Sequence, residues 1–261
     1  MTDWKRWLKQ GVALLCVGWT LSAWAGGELG VVLLHGKGGT PANLQALALK
    51  LTQAGHQVAV PEMPWSKFRL YNATVAEAQG EVDQAVAGLR QKGASAIVIL
   101  GHSMGGNMAI AYAARRRGLA GVAALAPGHL VETTSVQQLV GDSVARARAL
   151  VAEGKGKEPD EFDDINNGKV STVITSAEHY LDYFDPQGAA NMPATVAGLQ
   201  APLLWVVGTR DPVIFDRGRA YVFDRAPANA YNRYGVVEAD HMGTPDAASD
   251  LVLDWLRGLP R

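Results

Sequence analysis

The chain has 261 residues, of which 48% are hydrophobic and 19% are charged, and its formal net charge is −1 at pH 7. This composition is typical of a globular chain and excludes collagen-like, low-complexity and intrinsically disordered proteins. A slightly acidic chain also lacks the excess of positive charge by which proteins bind nucleic acid, so no nucleic-acid partner is expected.

The first 25 residues differ from the rest of the chain. Three basic residues within the first nine positions precede an apolar run over residues 11–23, and the Ala-Trp-Ala at 23–25 is typical of a cleavage site before Gly26. These are the three parts of a secretory signal peptide, so we expect an exported protein, periplasmic or secreted. An uncleaved membrane anchor is the alternative, but a spanning helix needs about 20 apolar residues and this run is shorter.

Residues 26–261 then have a suitable length for one domain. The only cysteine, Cys16, lies inside the predicted signal peptide, so the mature chain is expected to have neither a disulfide nor a thiol nucleophile. An exported protein without disulfides must be stabilised by its core, which favours a bacterial periplasmic enzyme over a small disulfide-linked toxin. No stable membrane insertion is expected after cleavage.

The first strong strand prediction covers residues 30–34, an apolar run that ends in His35. A glycine-rich turn follows, and Thr40 is placed to cap a helix that begins at Pro41, where a missing N–H costs nothing. Leucines at helical spacing over residues 44–51 give that helix one apolar face. The unit is a strand, a turn and a helix, as expected of an α/β protein.

Residues 57–60 predict the next strand, and the loop that leaves it contains Trp65. Loops at the carboxyl ends of parallel strands surround the binding site in such sheets, which makes Trp65 a candidate substrate-binding residue. Packing of the indole inside the loop is an equally good interpretation. Apolar residues at helical spacing over residues 75–89 then predict a helix that returns to the next strand.

The stretch that organises the chain begins with an apolar, β-branched run at residues 96–100, typical of a strand buried on both faces. It leads directly into Gly-His-Ser-Met-Gly at residues 101–105, and residues 108–116 predict an alanine-rich helix. So abrupt a turn forces Ser103 into a strained backbone conformation, and the glycines before and after it remove Cβ atoms that would collide. The serine hydroxyl is thereby raised above the carboxyl edge of the sheet, beside a helix N-terminus.

With this motif between a strand and a helix, the chain resembles the α/β-hydrolase family from about residue 30 to residue 259. The resemblance implies a mostly parallel sheet, of which about six strands are evident, with helices on both faces and a small cap insertion. It implies a catalytic triad in the chain order Ser, Asp, His. It also implies that His35 braces its loop, and that the backbone N–H groups of Lys37 and Met104 form an oxyanion hole.

Residues 122–125 predict another strand, and the segment that leaves it carries His129 over the site. The pattern changes between residues 130 and 200, where an amphipathic helix over residues 140–151 is followed by a polar stretch over residues 153–169. In the family, insertions at this place cover the pocket. We therefore expect a small cap or a set of edge loops rather than a second domain, with His129 as a candidate substrate contact.

Two segments near the C-terminus supply a candidate acid and a candidate base. The apolar run over residues 202–208 is followed within three residues by Asp211, which places this carboxylate at the sheet edge that carries Ser103. A surface aspartate in an Asp-Pro turn is the alternative. The final predicted strand, near residues 234–237, is followed by His241 in the loop before the last helix. The other histidines lie in less suitable places, so His241 is the expected base.

These three residues suffice for nucleophilic catalysis. His241 would take the Ser103 proton and return it to the leaving group, while Asp211 would hold the imidazole tautomer and stabilise its positive form. The chemistry requires neither a metal nor an organic cofactor, and none is expected. The sequence therefore predicts a serine hydrolase that cleaves small-molecule carboxylic esters or related acyl bonds through an acyl-enzyme. The alternatives are a peptidase or amidase on the same fold and a non-catalytic binding protein.

Overall fold

The computed structural model describes residues 29–166 and 168–260. The predicted signal peptide and Cys16 therefore lie outside the described residues. Within the described ranges, no helix combines the length and the hydrophobicity that a membrane crossing requires.

A six-stranded parallel sheet forms the centre of the described structure. The strands in chain order are β1 (Leu29–Leu34), β2 (Gln57–Ala59), β3 (Ala96–His102), β4 (Gly121–Leu125), β5 (Pro159–Asn166), β6 (Lys169–Ser176), β7 (Leu203–Gly208) and β8 (Arg233–Val237). The main sheet has the order β2-β1-β3-β4-β7-β8, whereas β5 and β6 form a separate antiparallel hairpin. The predicted fold class, an α/β protein with a parallel sheet of about six strands, is confirmed.

Helices cover both faces of the sheet. They are α1 (Gln45–Gln53), α2 (Val75–Gln91), α3 (Met104–Ala113), α4 (Thr134–Ala152), α5 (Ala177–Phe184), α6 (Met192–Thr195), α7 (Thr244–Ala247) and α8 (Ser249–Gly258). Successive residues of a strand point to opposite faces. Val31 accordingly packs in one core with α1 and α8, while its neighbour Val32 packs in the other with α2 and α3. Burial on both faces explains why these strands are continuous apolar runs rather than alternating ones.

The chain between β4 and β7 contains the predicted cap segment (residues 130–200). It is built from α4, the hairpin of β5 and β6 (here called the cap hairpin) and α5. Stacked rings join the hairpin to α5, with Phe162 and Tyr180 4.5 Å apart between centroids, and Tyr180 and Phe184 4.4 Å apart. The sequence analysis did not predict β5, which lies in the stretch described there as polar. Only Phe162 of its eight residues is fully buried, so β5 has no apolar run to reveal it.

Strand order brings distant parts of the chain to one edge. β1 lies between β2 and β3, so the chain reverses its winding direction at that point, and ligands bind outside the carboxyl ends of strands at such places. The segments that leave β3, β7 and β8 all emerge at this edge. They carry the three residues predicted to act together, Ser103, Asp211 and His241.

Candidate active site

The turn between β3 and α3 holds Ser103 in an unusual backbone conformation, with φ 52° and ψ −125°. The flanking glycines make this possible. A Cβ atom at Gly101 would lie 2.0 Å from the carbonyl oxygen of Gly105, and one at Gly105 would lie 2.1 Å from the carbonyl oxygen of Leu34. The Ser103 N–H donates to the Leu125 carbonyl at 3.0 Å, which fixes the turn to the neighbouring strand. The expected strained turn is therefore present, and its hydroxyl stands beside the N-terminus of α3.

The structure brings together the three residues predicted as nucleophile, base and acid. Ser103 Oγ lies 2.9 Å from His241 Nε2, and His241 Nδ1 lies 2.8 Å from Asp211 Oδ2. Asp211 is 2% exposed, and its second oxygen accepts a hydrogen bond from the Val213 N–H at 2.8 Å. The carboxylate is thus fixed at both oxygens, and the Nδ1–H of His241 donates to it. This tautomer leaves Nε2 free to accept the hydroxyl proton.

Two other aspartates lie near these residues in sequence but not in this arrangement. Asp240 is exposed, and its Oδ1 accepts from the Gly243 N–H at 2.7 Å, which caps the turn that follows. Asp216 is exposed on a short 3-10 turn beyond β7. Among the described residues, Asp211 is therefore the carboxylate that contacts the His241 ring.

The oxyanion-hole prediction concerns the backbone N–H groups of Lys37 and Met104. Both residues line the same cavity as Ser103. Met104 is the first residue of α3, so its N–H has no acceptor within the helix. The Lys37 N–H donates to no acceptor in the described part of the chain. The next N–H, that of Gly38, donates to the Trp65 carbonyl at 2.8 Å and thereby fixes the loop.

The cavity at this edge has a volume of about 240 Å³. Its walls come from the loop after β1, the start of α3, the segments after β4 and β7, and the tip of the cap hairpin. No aspartate or glutamate is among the described residues that line it, whereas Arg217 is. A second groove of about 390 Å³ adjoins the cavity at His241, and its lining also includes Pro212, Asp240 and Met242.

Comparison with known proteins identifies the family. A family model described as serine aminopeptidase, S33, matches residues 28–242. The chain belongs to this family of α/β-hydrolases. The comparison with curated proteins gave no match.

Several solved structures share the fold of this chain. One is reported among the metagenome-derived lipolytic enzymes LipS and LipT (18% identity, 87% of this chain and 91% of that chain covered, TM-score 0.62). Another is the monoacylglycerol lipase of Paleococcus ferrophilus (20% identity, 87% and 93% covered, TM-score 0.60). A third is a thermophilic esterase of Thermogutta terrifontis (20% identity, 88% and 89% covered, TM-score 0.57). At these identities the likeness establishes the fold.

The side chain of Lys37 connects the loop after β1 to the cap hairpin. Its Nζ lies 2.6 Å from Asp164 Oδ1 and also donates to the Ile165 carbonyl, both on β5. The Tyr71 hydroxyl donates to the other Asp164 oxygen at 3.1 Å, and the Phe184 ring centroid lies 5.3 Å from Nζ. Burial lowers the pKa of Lys37, and the Asp164 charge opposes that change. The sequence analysis assigned a role to the backbone of Lys37 and missed this contact of its side chain.

His102 holds the backbone of the candidate base. Its Nε2–H donates to the His241 carbonyl at 2.9 Å, and the ring is 3% exposed. Burial, aided by the charge of His241, lowers the pKa of His102 to about 4, so the ring is neutral at pH 7. The sequence indicated that this position faces the interior, but it contained no indication of the partner.

His35 braces the loop after β1, as the resemblance implied, and Trp65 packs beside it. The His35 Nδ1–H donates to the Gly36 carbonyl at 2.8 Å, and its Nε2 accepts from the Met63 N–H at 3.0 Å. The Trp65 Nε1–H donates to the His35 carbonyl at 2.7 Å, and the indole is 2% exposed. Trp65 therefore packs in the core and is not among the residues that line the cavity with Ser103. The expectation that it binds substrate is corrected, because its loop folds back over His35.

His129 lines the cavity, as expected, but its Nε2 atom already takes part in a hydrogen bond within the protein. The Nε2–H donates to the Tyr183 carbonyl at 2.8 Å, and Asn107 Nδ2 donates to the His129 carbonyl at 2.7 Å. Burial, aided by the charge of Lys37, lowers the pKa of His129 to about 3. The residue thus supplies a rigid, neutral wall of the cavity.

The described residues hold no group of three or more His, Cys, Asp and Glu side chains that could bind a metal ion.

Proposed function

We propose that this α/β-hydrolase is a serine hydrolase that cleaves small carboxylic esters through an acyl-enzyme on Ser103. The observation that carries the proposal is the unbroken series of hydrogen bonds from Ser103 Oγ through His241 to Asp211, with spacings of 2.9 and 2.8 Å. Ser103 and His241 line a cavity to which Lys37 and Met104 also belong. A nucleophile, a base and an oriented acid are the parts that acyl transfer needs.

The chemistry follows from these positions. His241 Nε2 accepts the proton of Ser103 as Oγ attacks the ester carbonyl carbon. The carbonyl oxygen becomes an oxyanion, which the N–H groups of Lys37 and Met104 stabilise. Collapse of the tetrahedral intermediate breaks the bond to the alcohol, which leaves with the proton from His241. A water molecule then attacks the acyl-enzyme by the same steps, while Asp211 stabilises the imidazolium each time it forms.

Charge in the cavity favours an ester over a peptide with a free amino terminus. The matching family model is described as a serine aminopeptidase, and a substrate ammonium group needs a carboxylate or similar acceptor. The described lining of the cavity contains no aspartate or glutamate and does contain Arg217, which makes no salt bridge in the described part of the chain. Such a lining repels an ammonium group. A binding protein without activity is less favoured, because nothing in simple binding requires the aligned hydroxyl, imidazole and carboxylate.

Initial rates on a panel of phenyl esters and aminoacyl anilides test the proposal. The cavity volume of about 240 Å³ is below the usual range for pockets that bind drug-sized ligands. We therefore expect esters with short acyl chains to be preferred over those with long ones. We expect ester hydrolysis with no comparable anilide cleavage, and a loss of about 10³-fold or more in kcat for Ser103→Ala. Ser135 lines the same cavity without contacting His241, so Ser135→Ala is the matched control and should keep its rate.

Each of the other outcomes identifies an alternative. Faster cleavage of aminoacyl anilides than of esters would indicate a peptidase. An absence of turnover on both classes would indicate a binding protein. Equal losses in Ser103→Ala and Ser135→Ala would show that the nucleophile has been assigned to the wrong serine.

A further inference from the structure

We infer that Arg217 determines specificity and that the preferred substrate is a half-ester, whose acyl part carries a free carboxylate. The inference rests on the proposed ester hydrolysis and names its substrate class. The feature behind it is an arginine that lines the cavity containing the nucleophile and makes no salt bridge within the described residues.

Arg217 belongs to the segment that also supplies the acid. It ends a 3-10 turn, Phe215–Arg217, which begins four residues after Asp211, and it lines the cavity together with Ser103 and His241. Within the described part of the chain its guanidinium makes neither a salt bridge nor a hydrogen bond. It lies over the Tyr221 ring, 5.1 Å from the centroid. Stacking on an aromatic face orients the guanidinium while leaving its N–H donors free for a ligand.

Two other ionisable side chains near the cavity, Lys37 and Glu132, make no direct ion pair with Arg217 in the described structure, although one buried Glu132 oxygen has no hydrogen-bond partner there. Lys37 is neutralised by Asp164 at 2.6 Å and points toward the cap hairpin. Glu132 accepts a hydrogen bond from the Tyr221 hydroxyl, but it makes no salt bridge with Arg217 in the described structure. Burial raises the pKa of Glu132, and the Arg217 charge only opposes that change. Arg217 is therefore the cation among the described lining residues that lacks a direct ionic contact, and an anionic group of a substrate could supply one.

A carboxylate is an anion that fits this site. The planar guanidinium donates two parallel hydrogen bonds to a carboxylate. The volume of about 240 Å³ suits a short chain that ends in a compact group. His241 must deliver its proton to the leaving alcohol, and the adjoining groove of about 390 Å³, next to Met242, exposes mainly apolar surface apart from Asp240. An apolar alcohol therefore leaves along that groove, and the charged end belongs to the acyl part on the Arg217 side.

Matched pairs of esters test the inference. The first pair is phenyl hydrogen adipate and phenyl heptanoate, which have similar acyl lengths and differ in the terminal carboxylate. We expect kcat/KM to be about tenfold higher for the adipate, which corresponds to one charge-assisted hydrogen bond at an exposed arginine. Arg217→Gln should remove that preference, with a loss in kcat/KM that is about tenfold larger for the adipate than for the heptanoate. Arg217→Lys should keep part of the preference, since it retains the charge without the planar fork.

Arg225 provides the control for a simple loss of charge. It is exposed on the same segment and is not among the cavity-lining residues, so Arg225→Gln should leave the preference unchanged. A second pair, 4-acetoxybenzoate and phenyl acetate, places the carboxylate on the leaving group instead, and no Arg217-dependent preference is expected there.

Three results would overturn the inference. They are equal rates for adipate and heptanoate in the unaltered enzyme, equal losses on both esters in Arg217→Gln, and an Arg217-dependent preference for 4-acetoxybenzoate. In each of these cases the enzyme still hydrolyses esters through Ser103, so the proposed function stands. Failure of the proposed function would instead appear as no Ser103-dependent turnover of any of the four esters.

Discussion

Replacement of Lys37 by methionine tests whether the loop after β1, which carries the predicted oxyanion N–H group, depends on the cap hairpin. The change removes the ammonium group that contacts Asp164 and the Ile165 carbonyl but keeps an unbranched side chain beside Phe184. Asp164 then keeps only the Tyr71 hydroxyl as a partner. We expect a loss of stability together with a lower kcat, because the loop that carries the Lys37 N–H loses its connection to β5.

The expected magnitude follows from the burial of the pair. The side chains of Lys37 and Asp164 are 8% and 15% exposed, so removing one partner leaves a charge that water reaches poorly. Breaking such a pair costs about 3–5 kcal/mol. The remaining Tyr71 contact and the partial exposure of Asp164 favour the lower end, about 3 kcal/mol. For a domain of this size that corresponds to about 6–12 °C in the melting temperature.

Denaturant unfolding followed by circular dichroism measures this cost, and steady-state ester hydrolysis measures the effect on kcat. The double variant Lys37→Met/Asp164→Met should recover most of the lost stability, since it leaves no unpaired buried charge. Lys155→Met removes a lysine from an exposed pair with Glu153, whose side chains are 54% and 56% exposed, and should change nothing measurable. The reasoning is refuted if Lys37→Met is as stable as the unaltered chain, or if the double variant is no more stable than the single one.

Asp211→Asn should keep the fold but lower kcat by about 10⁴-fold, because the His241 ring loses its fixed tautomer, whereas the exposed Asp240→Asn should cost far less. Similar losses in the two variants would mean that the acid is misassigned. Protonation of buried imidazoles should destabilise the protein in acid. His102 and His129 have folded pKa values of about 4 and about 3, below the usual 6.5, so the unfolded state binds more protons below pH 6.5. The free energy of unfolding should therefore fall as the pH drops from 6.5 to 4, by about 1.4 kcal/mol per pH unit for each histidine, and a flat profile would contradict this. Export predicts a mature N-terminus at or near Gly26, and N-terminal sequencing that finds Met1 on a membrane-bound chain would favour the anchor.

The main sheet and the three candidate catalytic residues could be predicted because their evidence is local in sequence. Strands buried on both faces are continuous apolar runs, and the strands β3 and β7 lead within a few residues to Ser103 and Asp211. Close backbone contacts require glycine at positions 101 and 105. The two glycines around Ser103 therefore predicted the turn from the sequence alone. Parallel strands then bring these ends to one edge. The catalytic roles themselves stay predictions until rates are measured.

The remaining features depend on contacts that link distant parts of the chain. Asp164 contacts Lys37 although the two residues are 127 positions apart in sequence, and the composition of neither segment predicts the pair. Trp65 lay in a loop at the correct edge, but its indole turns inward because the His35 carbonyl offers a hydrogen-bond acceptor. β5 was missed because it pairs only with β6 outside the main sheet and buries only Phe162 completely. Such features follow from how the chain folds back on itself and not from local pattern.

Labelling with a fluorophosphonate, followed by peptide mapping by mass spectrometry, tests the central claim most directly. This reagent forms a covalent bond with a serine that an adjacent base has activated. Because Ser103 Oγ lies 2.9 Å from His241 Nε2, we predict modification of Ser103 alone and strongly slowed labelling in His241→Gln. Modification of another serine, or undiminished labelling of Ser103→Ala, would contradict the account.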